Sequence, residues 1–582
     1  MVTFAVTANG QALPGILTIT ITKGINRLSE ARLELLDGDP ATGVPLQSQA
    51  DNLAAGTLVE VQAGYDSQNQ LLFKGLVVEV AITSQGTQGM LLRVVCKDAA
   101  VKMMGGRKTA AFLAQTTSDA IGQILDTYSD LEADIAATAG EAADLVQFNR
   151  TDWDFVVTQA EANGQLVLSD LGKFSTLPLT TAGQPVAALV NGTNLYSFAL
   201  RLDARTQFAG VEAHSWSAAT QQQLTATANE PGLTTPGTAT SAALAGALGQ
   251  TTYVIRTAAN VSQATLQALA DACLAKRVLA KVQGTVELAG TALVVPGCLV
   301  SLSGLGSSFD GTGFVAGVTH TIGGGDWKTH ATLGTDEQWF VERHHDVAPP
   351  APANNLATGM HGLYSAVVKA THNDEQGEFR VHVTVATLAN AQLWVRLAQP
   401  YASAGAGLFF YPEVGDEVLL GFLGDDVHYP VILGSLYSSG RAPAYTPDQE
   451  NSKKAIVTKG QLTLELDDEQ KIITLKTPGG NKLVISDEAL GLTLTDQQGN
   501  TVTLSAEGVA IASKTSLSLS ADTNITIKAL GSLTLQAGES LQATALTISA
   551  TAEAELALSS SGTAALTGEA MTTVKGALVM IN

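Results

Sequence analysis

A chain of 582 residues has room for three or four domains. Its 54 acidic residues against 32 basic ones leave a net charge of −22, which argues against a nucleic-acid partner and against docking on an anionic membrane surface. Mean hydropathy is nonetheless positive, at +0.17, with a charged content of only 15%, as a large subunit interface would require.

The first hundred residues alternate with a β period. Ile16–Ile21 and Ala31–Leu36 read as strands and Asp37–Pro40 as a turn, while Gly56–Val61 leads through Gly64-Tyr65-Asp66 to Phe73–Val77. Three helices follow. Ser118–Tyr128 places Ile121, Ile124, Leu125 and Tyr128 on one stripe. Another opens at Thr151, with Asp154 closing a capping box, and stops at Asn163-Gly164. The third, Ser262 to about Leu279, carries Leu266, Leu269, Cys273 and Leu274 on its apolar side. Residues 280–343 return to β structure and hold a faint repeat. Gly297–Leu302 echoes Gly56–Val61, and Phe309-Asp310-Gly311 with Phe314–Val318 echoes Phe73-Lys74-Gly75 and its strand, as if one chain held two similar barrels. Ala348–Asn355 is a Pro-rich linker, followed by a compact β domain and a second short linker from Gly440 to Asn451.

After Tyr445 there is no Phe, Tyr, Trp, His or Cys, and the text repeats every eight residues. Leu517-Ser518-Leu519, Ile525-Thr526-Ile527 and Leu533-Thr534-Leu535 are separated by small and polar residues. Alternation within a triplet is the strand period, and its recurrence is a solenoid period. Such a strand buries one face only and cannot make its own core. Several identical chains wound together would share one, with Leu517, Leu519, Ile525, Ile527, Leu533 and Leu535 inside. At about 4.8 Å per stacked strand, roughly 16 steps give a rod on the order of 75 Å long. A single-chain β-helix or a low-complexity stalk is the plainer reading.

The middle β domain names a family. It reads Gly377–Val383, Leu393–Tyr401, Phe410-Tyr411-Pro412-Glu413-Val414-Gly415-Asp416-Glu417-Val418-Leu419-Leu420-Gly421-Phe422 and Tyr429–Tyr437. This resembles the oligonucleotide/oligosaccharide-binding (OB) barrel of VgrG-type spikes, with Trp394, Pro412, Gly415, Asp416, Glu417, Gly421, Phe422 and Gly434 as the signature. Leu145–Phe155 is similar to the family's hub segment, and the aromatic-free tail to its trimeric needle. Ile25–Pro40, Gly64–Ser67 and Phe73–Gly75 are similar to spikes of extracellular phage-tail-like particles of the antifeeding-prophage and Photorhabdus virulence cassette type. Type VI secretion and contractile-phage spikes are the alternatives.

The resemblance implies a mainly β chain. A hub at 1–345 has two tube-like barrels, about 1–100 and 190–343, around a helical insertion. A linker at 346–357, an OB barrel at 358–442, a neck at 443–455 and an intertwined trimeric β-helical needle at 456–582 follow. It implies a homotrimer that meets inner-tube, tube-initiator and baseplate proteins, carries effector cargo, and touches membranes only by mechanical puncture. A separate PAAR-type cap would dock on Val579, Met580, Ile581 and Asn582 and bring any tip metal itself, so no cofactor is expected. In the barrel, Pro412 and Gly415 suit a turn, Trp394 and Phe422 suit the core, and Glu417 an exposed strand position.

No catalytic motif of the G-x-S-x-G, H-E-x-x-H or P-loop type occurs. Asp152 and Asp154 could form an acid–base pair, but their place at a helix start favours capping and support of the helix dipole. His344-His345-Asp346 is the best metal candidate by composition and lacks further ligands at workable spacing. Cys96, Cys273 and Cys298 read as reduced core cysteines. With no secretory signal at the start, synthesis and assembly in the cytoplasm are expected. An enzyme that clears cell wall and a trimeric adhesin are the rivals from other classes.

Overall fold

The computed structural model describes residues 1–37, 47–48, 51–84, 90–259, 261–344 and 359–581. The expected turn at Gly38–Pro40, the Pro-rich linker, His345-Asp346 and Asn582 lie outside them. The described chain is mainly β and divides into two compact units, Met1–Ser435 and Leu436–Asn582.

In the first unit a 16-stranded sheet runs through the hub, and the faint repeat in the sequence is a true duplication of its strands. One half orders its strands as Leu58–Tyr65, Gln68–Ser84, Met90–Lys97, Arg27–Asp37 and Ile16–Gly24. The other orders Leu299–Ser303, Gly311–Gly323, Asp326–Leu333, Val282–Ala289 and Leu195–Leu202 in the same way. Backbone details repeat with the topology. Gly56 and Gly297 both turn with positive φ, at 90° and 88°. Gly56 N–H donates to the Val77 carbonyl and Gly297 N–H to that of Val315, each at 2.8 Å. The register then slips by one residue after Val77 and after Val315. The side chains repeat as well. Thr18 donates to Glu34, and Ser197 to Glu287, both at 3.0 Å. Gly75 faces Val59 as Gly313 faces Val300, so the counterpart of Gly75 is Gly313. The sequence echo centred on Gly311 is therefore two residues out of step. The bulge and hydrogen-bond pattern, which set register, are not written in the F-x-G letters.

Each half buries its own apolar cluster. Ile19, Ile21, Leu33, Val61, Phe73 and Val94 lie in one, and Leu189, Val286, Val300, Val318 and Leu333 in the other. The halves join where Gly311–Gly323 pairs antiparallel with Ile16–Gly24, His320 opposite Ile21. Thr117–Leu125, Asp152–Ala162 and Gln263–Leu279 form the three expected helices, capped by Thr116, Thr151 and Ser262. Tyr128 falls outside the first of them. The capping box belongs to that helix, where Asp119 reciprocates Thr116, whereas at Thr151 the side chain accepts from Asp154 N–H. Sequence reading missed the short helices Ser241–Ala247 and Phe340–Arg343, which are too brief to show a period.

Strands Tyr364–Ala370, Val381–Val385, Ala391–Leu397, Pro430–Leu436 and Glu417–Phe422 close a five-stranded barrel around Val368, Val383, Val395, Val418, Leu420 and Ile432. In the second unit, seven short strands from Lys453–Val457 to Gly508–Ala512 form an antiparallel meander. The expected eight-residue winding therefore does not start at residue 456. Up to Ala512 the chain pairs with itself, because turns such as Thr477–Gly480 and Asp496–Gly499 fold it back.

Candidate assembly surfaces

The meander presents its aliphatic residues in two cross-strand columns. Leu466, Ile473, Ile485, Leu492, Leu504 and Val509 face one another in succession. Beside them run Leu464, Leu475, Leu483, Leu494, Val502 and Ile511. Within one chain this face is uncovered, and Ile473, Leu475, Leu494 and Leu504 are all exposed. An apolar sheet face of this length marks an interaction surface.

Beyond Ala512 the chain becomes a series of extended runs separated by bends near residues 514, 522, 530, 538, 546, 553, 561, 569 and 577. That is the eight-residue period read from the sequence. Leu517, Leu519, Ile525, Ile527, Leu533 and Leu535 are each 55–65% exposed in the single chain. Among the described residues past Thr515, no backbone N–H bonds to a backbone carbonyl of the same chain. Extended backbone needs partners for its donors and acceptors, and the apolar triplets need cover; other strands would supply both. Val579, Met580 and Ile581 are also exposed.

In the barrel, Gly415 adopts φ +91° as the third residue of the Glu413–Asp416 turn. Its N–H donates to Val368 O at 2.8 Å, while Asp416 N–H closes the turn on Glu413 O at 3.0 Å. The Asp416 carboxylate accepts from Glu413 N–H at 2.8 Å. Pro412 is half-buried ahead of the turn, and Gly421 is half-buried in its strand; no side chain or backbone approaches the position a Cβ would take on Gly434. Three expectations change. Trp394 is not core. Its neighbour Val395 points inward, so Trp394 lies half-buried on the outer face, stacked on His382 at 4.8 Å with the Arg380 guanidinium 6.0 Å from its ring. Phe422 is half-buried at the end of its strand, edge-on to Tyr364 at 5.5 Å. Glu417 is half-buried too, where an exposed position was expected.

The polar clusters of the hub are structural in their geometry. Asp152 is buried, and it accepts from Lys108 Nζ at 2.6 Å, Tyr128 Oη at 2.6 Å and Gln147 Nε2 at 2.8 Å. Burial pushes its pKa up, but the Lys108, Tyr128 and Gln147 hydrogen bonds outweigh burial and hold the carboxyl below its ordinary range. Asp152 and Asp154 thus do different jobs. Glu161 and Lys276 pair at 2.5 Å with both side chains 5% exposed. Glu161 also accepts from Phe340 N–H at 2.6 Å, and Lys276 lies 4.5 Å from the Trp339 ring centroid. Burial lowers the Lys276 pKa against the pull of Glu161. Sequence reading missed this pair, since the partners are 115 residues apart and neither belongs to a motif. Cys96, Cys273 and Cys298 are free, the first two buried and the third half-buried. Burial pushes the Cys96 thiol up to about 12.

A trough of about 760 Å3 beside Leu195–Leu202 is lined by residues that include Arg201, Asp336 and Glu337, but no His, Cys or Ser. His344 packs against Phe340 at 4.6 Å, and among the described residues no cluster of three His, Cys, Asp or Glu side chains could hold a metal. Among those residues, too, no helix is long and apolar enough to cross a membrane.

Comparison with known proteins follows the same division of the chain. Residues 364–437, which span the closed barrel, match the type VI secretion system/phage-baseplate injector OB domain, and residues 471–531 match the phage baseplate V C-terminal trimerisation domain. That order of domains defines a VgrG-type spike. The chain belongs to the family described as the Alg8 N-terminal domain, which matches residues 1–324. The actin cross-linking toxin VgrG1 of Vibrio cholerae is 30% identical over 90 residues, which is 15% of this chain and 8% of that protein. The type VI secretion system spike protein VgrG5 of Pseudomonas aeruginosa is 29% identical over 131 residues, 20% of this chain and 17% of that protein. Among solved structures, the 43 kDa tail protein of prophage MuSo2 from Shewanella oneidensis is 13% identical, with a TM-score of 0.45 over 58% of this chain and 99% of that one.

Proposed function

We propose that the protein is the homotrimeric central spike and hub of a contractile injection system, with no catalytic step of its own. The doubled hub carries this reading: three chains bring six equivalent half-hubs, the number needed to seat a sixfold inner tube above a threefold needle. The uncovered columns of the meander and the eight-residue segments beyond it supply the apolar walls of that needle. Inner-tube and tube-initiator proteins would meet the hub, baseplate proteins its periphery, and a PAAR-type cap the end near Val579–Asn582. The needle's contribution is stiffness, since unwinding it requires three chains to part together. Sheath contraction supplies the force, and the membrane is crossed by puncture.

The stretches of sequence around Ile25–Pro40 and Gly64–Gly75 support an extracellular phage-tail-like particle over a membrane-anchored type VI apparatus or a phage tail. The native mass of the purified full chain, measured by light scattering, tests the core of the proposal. Three chains of 60.1 kDa give about 180 kDa. A mass near that of one chain would overturn it, and clearing of peptidoglycan by the purified protein would overturn the non-enzymatic part.

A further inference from the structure

Where the two halves of the hub join inside the chain, one face of the sheet is cut by a notch. Gly24 and Gly317 lie directly opposite each other, Thr22 lies opposite Thr319 two residues along, and Thr332 faces Gly317 from the next strand. The pleat puts all five on the same face. Over this floor lies a recess of about 320 Å3, walled by residues that include Arg27, Glu161, Lys276, Asp336 and Arg343. The duplication shows that the sheet itself does not demand the notch. By the repeated registers, Glu79 stands in the first half where Gly317 stands in the second, and Arg201 stands in the second where Thr22 stands in the first. Long charged side chains are therefore accommodated at the equivalent places, and the recess is particular to this junction.

The groups around it have donors to spare. Arg27 is exposed, and its guanidinium has no hydrogen bond or ion pair among the described residues. Arg343 comes no nearer to Asp336 than 3.6 Å, longer than a hydrogen bond. The hydroxyls of Thr22, Thr319 and Thr332 have no hydrogen-bond partner among those residues either. Glu161, by contrast, is already occupied by Lys276 and by the Phe340 N–H, and Lys276 also donates to the Gln338 carbonyl at 2.8 Å. Asp336 is left as the one acid of the wall still open to solvent, 42% exposed. A guanidinium fork matches the paired oxygens of a phosphate or a carboxylate, and the volume falls at the lower end of the range for small-molecule pockets, about 300–1,000 Å3. We propose that this recess binds a small oxyanion, the phosphate or carboxylate group of a low-molecular-weight ligand, held by Arg27 and Arg343 over the Thr22–Thr319 pair. Such a ligand touches both halves of the hub and the Phe340–Arg343 helix at once, so it staples the junction. The inference goes beyond the spike reading and depends on neither the needle nor the trimer.

The test is calorimetric titration of the full-length chain with inorganic phosphate and, separately, with succinate, at an ionic strength held constant with chloride. Saturable binding of at least one of them, one site per chain, is expected, and an excess of the anion that binds should raise the hub's melting temperature by several degrees. Binding of phosphate alone assigns the site to phosphoryl ligands, and binding of succinate alone to carboxylates. Arg27→Ala removes a side chain that has no partner, so it should leave the unliganded melting temperature unchanged and weaken binding about tenfold or more, the loss of a hydrogen bond to a charged group. Thr22→Val keeps the shape of the floor, removes one hydroxyl and should weaken binding less. A folded chain that binds neither anion overturns the proposal, and so does binding that Arg27→Ala leaves undiminished. If Arg27→Ala fails to fold, hydrogen exchange of the unsubstituted chain decides. The amides of Thr22–Arg27 and Gly317–Thr319 should exchange more slowly with phosphate or succinate than with chloride, and equal rates in all three overturn the site.

Discussion

The hub and the needle spend the same aliphatic residues in opposite ways. In the hub, Ile19, Leu33, Phe73 and Val94 are fully buried within one chain, and two helices are locked by a buried ion pair. In the needle, Leu519, Ile527 and Leu535 stay largely exposed and their backbone has no partner in the same chain. One region carries its own solution to the hydrophobic problem; the other leaves its apolar face to be covered from outside the chain, in the proposed trimer by more copies of itself. Substitutions in the two regions should therefore fail in different observables.

Needle substitutions should produce the largest effect. Ile527→Pro removes a backbone donor from a segment that in the proposed trimer pairs between chains, where each substitution is present three times. Loss of the trimer on light scattering, or a fall of many degrees in the main thermal transition, is expected, with the hub's far-UV signal retained. An unchanged melting temperature would count against strand character at Ile527. Hub substitutions should leave the mass alone. Glu161→Gln strands the Lys276 ammonium at a site where both partners are nearly inaccessible, a change that costs about 3–5 kcal/mol. Calorimetry should show a destabilised hub transition in a particle that is still trimeric. A simultaneous drop in mass would mean that the hub and needle are not separable in the way the comparison holds.

A smaller, more local effect is expected in the barrel. Gly415→Ala forces a side chain onto a φ of +91° and should cost about 1–2 kcal/mol. Gly434→Ala, with open space where its Cβ would stand, is the matched control. Equal melting temperatures for the two variants would show that the turn is not the reason for glycine at residue 415.

How much was legible in the sequence follows the same division. The needle was readable because its period is local: eight residues fix the bend spacing from residue 514 onward. Its onset was misplaced because the strands of the meander up to Ala512 have the same aliphatic alternation, and only turn geometry tells self-pairing from winding. The barrel's turn chemistry at Pro412 and Gly415 could be read, but not the side on which Trp394 lies, since that is fixed by a strand register with Val395 inside. The duplicated hub was visible as two fragments and misaligned by two residues at Gly311. The polar cluster around Asp152 and the Glu161–Lys276 pair were invisible, because they are assembled from distant segments that carry no pattern.

The smallest expected effect concerns Asp152, and it separates its role from that of Asp154. Burial pushes the Asp152 carboxyl up, but the Lys108, Tyr128 and Gln147 hydrogen bonds overcome it and hold the group below the ordinary carboxylate value. A depressed folded-state pKa stabilises the fold above the unfolded value, and the contribution disappears as pH falls through the folded one. Asp152→Asn should therefore lower the hub's melting temperature at neutral pH. The gap from the unsubstituted chain should hold down to about pH 5 and narrow as the pH drops below the ordinary carboxylate range. Asp154, whose backbone N–H is the group that Thr151 caps, offers the contrast. Asp154→Asn keeps that N–H and loses only the carboxylate's favourable placement at the helix start, about 0.3–1 kcal/mol at low ionic strength, and the loss should shrink with added salt. The buried Asp152 interaction should resist salt, because screening acts weakly on a carboxylate enclosed by its donors. If the two variants show the same pH profile and the same salt dependence, the pair is a shared capping device after all and the enclosed cluster contributes nothing of its own.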